Sequence, residues 1–404
     1  MLRLKRLFLQ IQPLPFVSNF IGVWGLILGE KVPLFQISML YLPDMKILRG
    51  TFLICILLLA LHSCGEKPVV SPDDPEITPS LAYAAPDNNN FRRVGYFPYY
   101  RDLSSAGIPD STLLRLDVAC FAFAEIQPDF TVKVPSPNEL YNLVRRCKEL
   151  GVKVFLSFNG EHSIYARMVS KKGYRSVFIN SLMELVQRYR IDGIDNDWEY
   201  PSTKDGSSKG NLSLMRELSN ILHAPGVNKY LTAAITCGKY VGSYSNGTLD
   251  EVYPCVDWFN VMTYDDFSTT TAGIHHSPME LLETGYKYWV ETRGMPPAKF
   301  VGGIPIYGRP SGMTQNGTIL TYKGIMAQGG DPDKNQAEVT SSSYNNGKTK
   351  YTVYYNGRPL VRKKTRFCMD KGVGGIMFWE AGQDTHDGTS LIKAAYDEIF
   401  KQQI

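Results

Sequence analysis

The residues most able to do chemistry stand in one short run, from Ile191 to Pro201, where Asp195, Asp197 and Glu199 recur at every second position. On a β-strand successive side chains point to opposite faces, so these three acids project to the same side. Their spacing along the strand is about 7 Å per pair of residues. Three carboxylates at that separation repel one another in a partly buried site. The repulsion is relieved when one keeps a proton, and a carboxyl kept neutral in this way is what general acid catalysis near neutral pH requires. A calcium loop or a solvated acidic strand end would use the same residue types. However, Ile194 and Trp198 occupy the alternate positions and fit a strand buried on its other face, which a calcium-binding turn would not be.

A strand that presents acids needs a scaffold. Strand-like runs fall at 93–97, 118–124, 152–157, 191–197, 231–235, 258–263, 300–305 and 374–379, with helical patterns between most of them. One helix is signalled by Ser136-Pro137-Asn138-Glu139, a capping box with proline at the first helical position. It continues through Leu140, Leu143, Val144, Cys147 and Leu150 on one face and stops at Gly151. A second runs through Phe178, Leu182, Leu185, Val186 and Tyr189. Eight strands alternating with helices fit an α/β fold, either a closed parallel barrel or a doubly wound sheet. Residues 308–372 exceed a plain connection. Their tyrosine-rich run at 350–356 and the turn signal Asn356-Gly357 predict a small strand-bearing insertion between strands seven and eight.

Asp192 to Glu199 resembles the D-G-x-D-x-D-x-E signature of the family 18 glycoside hydrolases, the chitinases and related endo-β-N-acetylglucosaminidases. The similarity extends from about Arg93 to the C-terminus. Val94-Gly95-Tyr96-Phe97 looks like that family's first strand, Phe121-Ala122-Phe123-Ala124 its second and Ser157-Phe158-Asn159-Gly160 the end of its third. Met262-Thr263-Tyr264-Asp265 is similar to the M-x-Y-D motif of the sixth, and Gly374 to Glu380 resembles the eighth. The resemblance implies a TIM (β/α)8 barrel, with its chemistry at the C-terminal ends of the strands. It also implies substrate-assisted, retaining hydrolysis of β-1,4-linked N-acetylglucosamine in chitin oligosaccharides or the chitobiose core of N-glycans.

In that scheme Glu199 protonates the glycosidic oxygen and the sugar's own 2-acetamido oxygen attacks the anomeric carbon. Asp197 holds the acetamido N–H, Asp195 shares a proton with Asp197, and Tyr264 donates its hydroxyl to the acetamido oxygen. Trp379 forms an apolar floor under the reacting ring, Asp265 contacts the sugar or the acid, and Tyr96, Phe123 and Met262 join the sugar-binding surface. No cofactor or metal is implied. Two positions depart from the family pattern: Asn196 replaces an apolar residue, and Asn159 replaces the first glycine of S-x-G-G. A catalytically silent, chitinase-like lectin on the same barrel is the alternative; such relatives lose the acid, which Glu199 retains.

Composition bounds the rest. Six of the 43 basic and two of the 39 acidic residues fall in 1–64, leaving 37 of each sign in 65–404. A neutral body carries no nucleic-acid footprint. The excess charge belongs to targeting: basic Met45 to Arg49, the apolar run Thr51 to Leu61, then Leu61-His62-Ser63-Cys64, which resembles a bacterial lipobox. The expectation is an upstream extension and lipoprotein signal peptide over 1–64, a lipid on Cys64 as the only membrane attachment, a flexible tether over 65–90, and the catalytic domain over 91–404. The protein is thereby expected in a bacterial cell envelope as a monomer. Cys120, Cys147, Cys237, Cys255 and Cys368 are scattered without a C-x-x-C pair and read as buried apolar side chains. Trp198 and Trp258 read as packing between strand and helix, and His275-His276 as a loop, not a metal site.

Overall fold

A computed structural model describes residues 91–401 and two short strands upstream, Val23–Ile27 and Glu30–Leu34, which pair antiparallel in a unit of their own. Cys64, the run before it and the tether lie outside the described residues. No described helix is long and apolar enough to cross a membrane.

The eight apolar runs form eight strands: β1 (Arg92–Pro98), β2 (Val118–Ile126), β3 (Lys153–Asn159), β4 (Gly193–Asn196), β5 (Tyr230–Thr236), β6 (Trp258–Met262), β7 (Phe300–Pro305) and β8 (Gly375–Trp379). Each pairs in parallel with the next, and β8 pairs with β1, so the sheet closes on itself. The doubly wound alternative is thereby excluded. Closure requires the strands to be buried on both faces, which is why they read as nearly continuous apolar runs. Their outer faces pack on the helices through one large apolar cluster. Their inner faces meet in a smaller cluster that includes Val94, Tyr96, Phe155, Trp258 and Met377.

Trp258 therefore faces the barrel interior, not the helical layer. Its ring centroid is 5.5 Å from that of Phe155 and its Nε1 donates to Asn260 at 3.2 Å. Trp198 packs outward as read, stacked on Tyr165 at 4.5 Å and 9°. All five cysteines named above are free and buried.

Helix Pro137–Glu149 starts at its expected place, but Ser136 makes no capping hydrogen bond. Its ψ of 79° falls short of the extended conformation an N-cap residue takes. The insertion after β7 is a four-stranded antiparallel sheet of Tyr307–Pro310, Leu320–Thr321, Gln336–Val339 and Tyr351–Tyr354. Asn356-Gly357 does not close a hairpin there. Gly357 is the N-cap of helix Arg358–Asp370, with proline in the first turn, and this helix returns the chain to β8.

The strand that matters most is the shortest. β4 ends at Asn196, so Asp197 to Tyr200 continue past the sheet at its C-terminal end. The alternation still holds: Ile194 and Trp198 join the outer cluster, while Gly193 lies inward, beside Phe155. A Cβ on Gly193 would sit 2.7 Å from the Phe155 ring, which is confined by Tyr230 and Trp258, each at 5.5 Å. Gly193→Ala is accordingly expected to cost about 1–3 kcal/mol through overpacking. Thermal unfolding would show this as a midpoint lowered by several degrees; an unchanged midpoint would mean that the interior yields without strain.

Candidate active site

At the C-terminal mouth of the barrel a pocket of about 280 Å3 opens. Tyr96, Asp197, Glu199, Met262, Tyr264, Asp265 and Trp379 line it, brought together from four different strand ends. Asp195 lies beneath it. Phe123 stands behind Trp379, its ring 5.8 Å away and tilted by 25°, instead of among the lining residues. Tyr96 braces Trp379 from another side, edge to face at 5.4 Å. The indole plane is thus fixed by two aromatic neighbours before anything binds.

The three acids occupy different environments. Asp195 is fully buried, and both its oxygens are occupied. Oδ2 accepts from the Tyr96 hydroxyl at 2.8 Å and the Ser157 hydroxyl at 2.7 Å; Oδ1 accepts from Thr232 at 2.6 Å and Asn260 at 3.2 Å. Four donors arriving from β1, β3, β5 and β6 suit a carboxylate and leave little room for a proton. Burial pushes the Asp195 carboxyl up, and these hydrogen bonds pull it back. The proton-sharing expected between Asp195 and Asp197 is not visible as a hydrogen bond among the described residues, because the donors already fill Asp195.

Asp197 is only 4% exposed, and its Oδ1 has no hydrogen-bond partner. Burial raises its carboxyl well above the usual range, and the charges of Glu199 and Asp195 raise it further. Of the three acids it is pushed up most strongly, the direction that favours a retained proton. Its Oδ1 is shielded from solvent, an unpartnered polar atom inside the wall.

Glu199 reaches water at the mouth yet is walled in by protein on most sides. That desolvation raises its carboxyl; the Tyr200 hydroxyl opposes the shift and the charge of Asp265 adds to it. Asp265 stays ionised. Burial alone would raise it, but His276, Arg309 and Tyr307 carry it down to about 2. Arg309 donates to it from Nε at 2.5 Å and Nη2 at 2.8 Å, and the Tyr307 hydroxyl donates at 2.5 Å. The Tyr264 hydroxyl finds only the Met377 sulfur, at 4.0 Å. Burial keeps it protonated, so it is a donor left free for the pocket.

Several lining residues escaped the sequence reading: Tyr200, Lys239, Tyr240 and Met377. Lys239 and Tyr240 both bind Asp266, at 2.5 and 2.7 Å, and Tyr240 is 74% exposed. The one available signal was three large apolar side chains, Tyr240, Val241 and Tyr244, within a loop of Gly, Ser and Asn. Asn196 is satisfied outside the barrel by Asn211 at 3.2 Å, Tyr165 at 3.4 Å and the Met215 sulfur at 3.5 Å. Asn159 turns back to accept from the backbone N–H of Gly160. Among the described residues no cluster of three or more His, Cys, Asp or Glu could hold a metal.

A protein-family model for the glycosyl hydrolases family 18 matches residues 92–384. Chitinase A1 of Niallia circulans is 30% identical over 261 residues, which span 52% of this chain but only 37% of that protein. A class V chitinase of Medicago truncatula is 28% identical over 342 residues, 73% of this chain and 87% of the relative. Among solved structures, a chitinase from Bacteroides thetaiotaomicron superposes with a TM-score of 0.65 over 78% of this chain and 98% of its own, at 23% identity, a likeness of fold.

A carboxyl that is neutral in the folded state and ionised in the unfolded one costs stability as pH rises from the ordinary aspartate range toward its shifted value. Asp197→Asn keeps the shape without the titration. Relative to the unaltered protein, it should be more stable at pH 8 than at pH 4, as measured by denaturant unfolding at both pH values. A relative stability that is flat or falls with pH would contradict a raised Asp197.

Proposed function

This chain belongs to the glycosyl hydrolases family 18, and on that footing we propose that it is an active, retaining hydrolase of β-linked N-acetylglucosamine chains, with the substrate's acetamido group as nucleophile. One observation carries the reading: a buried Asp197, its carboxyl pushed well above the usual range, stands between Asp195, whose oxygens take four donors, and the pocket acid Glu199. Family 18 catalysis is itself an exception to the usual two-carboxylate scheme.

Glu199 gives its proton to the glycosidic oxygen as the bond to the anomeric carbon breaks, while the acetamido oxygen bonds to that carbon. Asp197 accepts the acetamido N–H on a carboxyl oxygen turned toward the pocket and so aligns the acetamido oxygen for attack. Because Asp197 is neutral, the carboxylate left on Glu199 meets no second anion beside it. Negative charge on Asp195 beneath the pocket, supported by its four donors, offsets the positive charge of the oxazolinium ion. Tyr264 donates to the acetamido oxygen, and Trp379 supports the sugar's apolar face. Glu199 then takes a proton from the water that opens the ring, returning the β-anomer and an unchanged enzyme.

The cleavage is internal to the chain. Tyr200 and Tyr244 lie 5.9 Å apart at ring centroids, and Tyr240 and Tyr244 are 74% and 56% exposed. Exposed aromatic faces continuous with the pocket suit a second sugar ring lying beyond the scissile bond.

Two experiments test this. Glu199→Gln should lower turnover of a fluorogenic di-N-acetylchitobioside by at least about 10²-fold while oligosaccharide binding persists. Unaltered protein that binds without releasing the fluorophore would instead be a lectin. Tyr240→Ala should raise KM for chitohexaose about three- to tenfold, the loss of one stacking contact, and leave the chitobioside nearly untouched. An equal effect on both substrates would remove the second ring from that loop.

A further inference from the structure

Lys364 is fully buried in the helix Arg358–Asp370, and the chemistry above makes no use of it. A lysine so placed is uncommon and costs desolvation unless its donors are used. Its Nζ donates to the Ser277 carbonyl at 2.8 Å and to the Ser277 hydroxyl at 2.7 Å. The Ser277 carbonyl also accepts from Asn356 at 3.2 Å. With Nζ–H occupying a lone pair of the hydroxyl, the single Ser277 proton is directed elsewhere. It is donated to the Thr263 carbonyl at 2.7 Å. That carbonyl belongs to the peptide that joins Thr263 to Tyr264. Thr263 itself is tied to β7 by its hydroxyl, which donates to the Gly303 carbonyl at 2.6 Å.

The same segment grips the far end of the loop. The Asp266 N–H donates to the His276 carbonyl at 2.9 Å, and the His276 ring stands 3.5 Å from Asp265. Thr263, His276, Ser277, Asn356 and Lys364 are all buried at 0% exposure, so water does not compete for these bonds. Residues 275–277 therefore bracket 263–266, and they are anchored in turn by Lys364 and Asn356 on Ser277 and by the Tyr355 carbonyl on His275.

We infer that Lys364 is a positioning residue for the hydrolysis: acting through Ser277 and the Thr263 carbonyl, it sets the peptide plane that aims the Tyr264 hydroxyl at the acetamido group. The claim rests on the proposed sugar chemistry only for the identity of the substrate. Burial, opposed by Cys368, Cys237 and Glu280, carries the amine down to about 7, and the two bonds to Ser277 need only the two N–H groups a neutral amine retains.

The test is a double-mutant cycle of Lys364→Met with Tyr264→Phe, read by kcat/KM on the fluorogenic chitobioside. In parallel, with Glu199→Gln to stop turnover, it is read by calorimetric affinity for tetra-N-acetylchitotetraose. Lys364→Met should cost about tenfold in each reading when Tyr264 is present, and under about twofold once Tyr264→Phe has removed the hydroxyl. Ser277→Ala should show the same dependence, and it carries the test if Lys364→Met does not fold. Equal losses in both Tyr264 backgrounds, or no loss, would overturn the inference. A parent protein that binds the tetrasaccharide without turnover would end the hydrolase reading, while the affinity arm would still decide the role of Lys364.

Discussion

The structure depends on solving one electrostatic problem: three carboxyl groups within five residues, at the end of a barrel strand, two of them inside the protein. Water cannot neutralise the inner pair. The barrel instead divides the burden by giving each acid a different environment. Asp195 receives four hydrogen-bond donors and can stay ionised. Asp197, pressed by burial and by charge on both sides, is pushed toward its protonated form. Glu199 remains open to the pocket, with the ionised Asp265 as an added upward influence. Identical chemical groups acquire separate roles because donors, burial and neighbouring charge are distributed unequally among them.

Closed parallel topology makes that distribution possible. The four donors to Asp195 belong to β1, β3, β5 and β6, far apart in sequence, and only a sheet closed on itself points all of them at one interior atom group. The helical layer contributes as well. Lys364 and Asn356, in and before the last long helix, fix the segment that holds the loop after β6. Stability and function are thus joined in the same contacts, which accords with a polar amine standing where an apolar side chain would bury more cheaply.

Much of this was legible in the sequence. The apolar runs placed all eight strands to within a residue or two, because strands buried on both faces leave an unbroken signal. The alternation of Asp195, Asp197 and Glu199 against Ile194 and Trp198 correctly sorted inward from outward positions, although the strand itself stops at Asn196. Other features were hidden. Trp258 gave no sign of facing the interior, since large apolar side chains stand on both faces of β6. Asn356-Gly357 has turn chemistry but begins a helix, because glycine also serves as an N-cap. Tyr240 and Lys239 sit in an irregular loop with no period to read. Lys364 was the least legible of all: a lysine on an amphipathic helix reads as solvent-facing, and only the fold reveals Ser277 opposite it. Burial partners across 87 residues of sequence leave no local mark.

The account stands on the protonation state of Asp197, and that state can be observed directly. A carbon-13 NMR titration of protein labelled at aspartate carboxyls, with Asp197→Asn to assign the resonance, reports it without substrate. The account predicts that the Asp197 carbon keeps the shift of a protonated carboxyl through the ordinary aspartate range and ionises only at markedly higher pH. An Asp197 resonance that titrates near the usual aspartate value would contradict it.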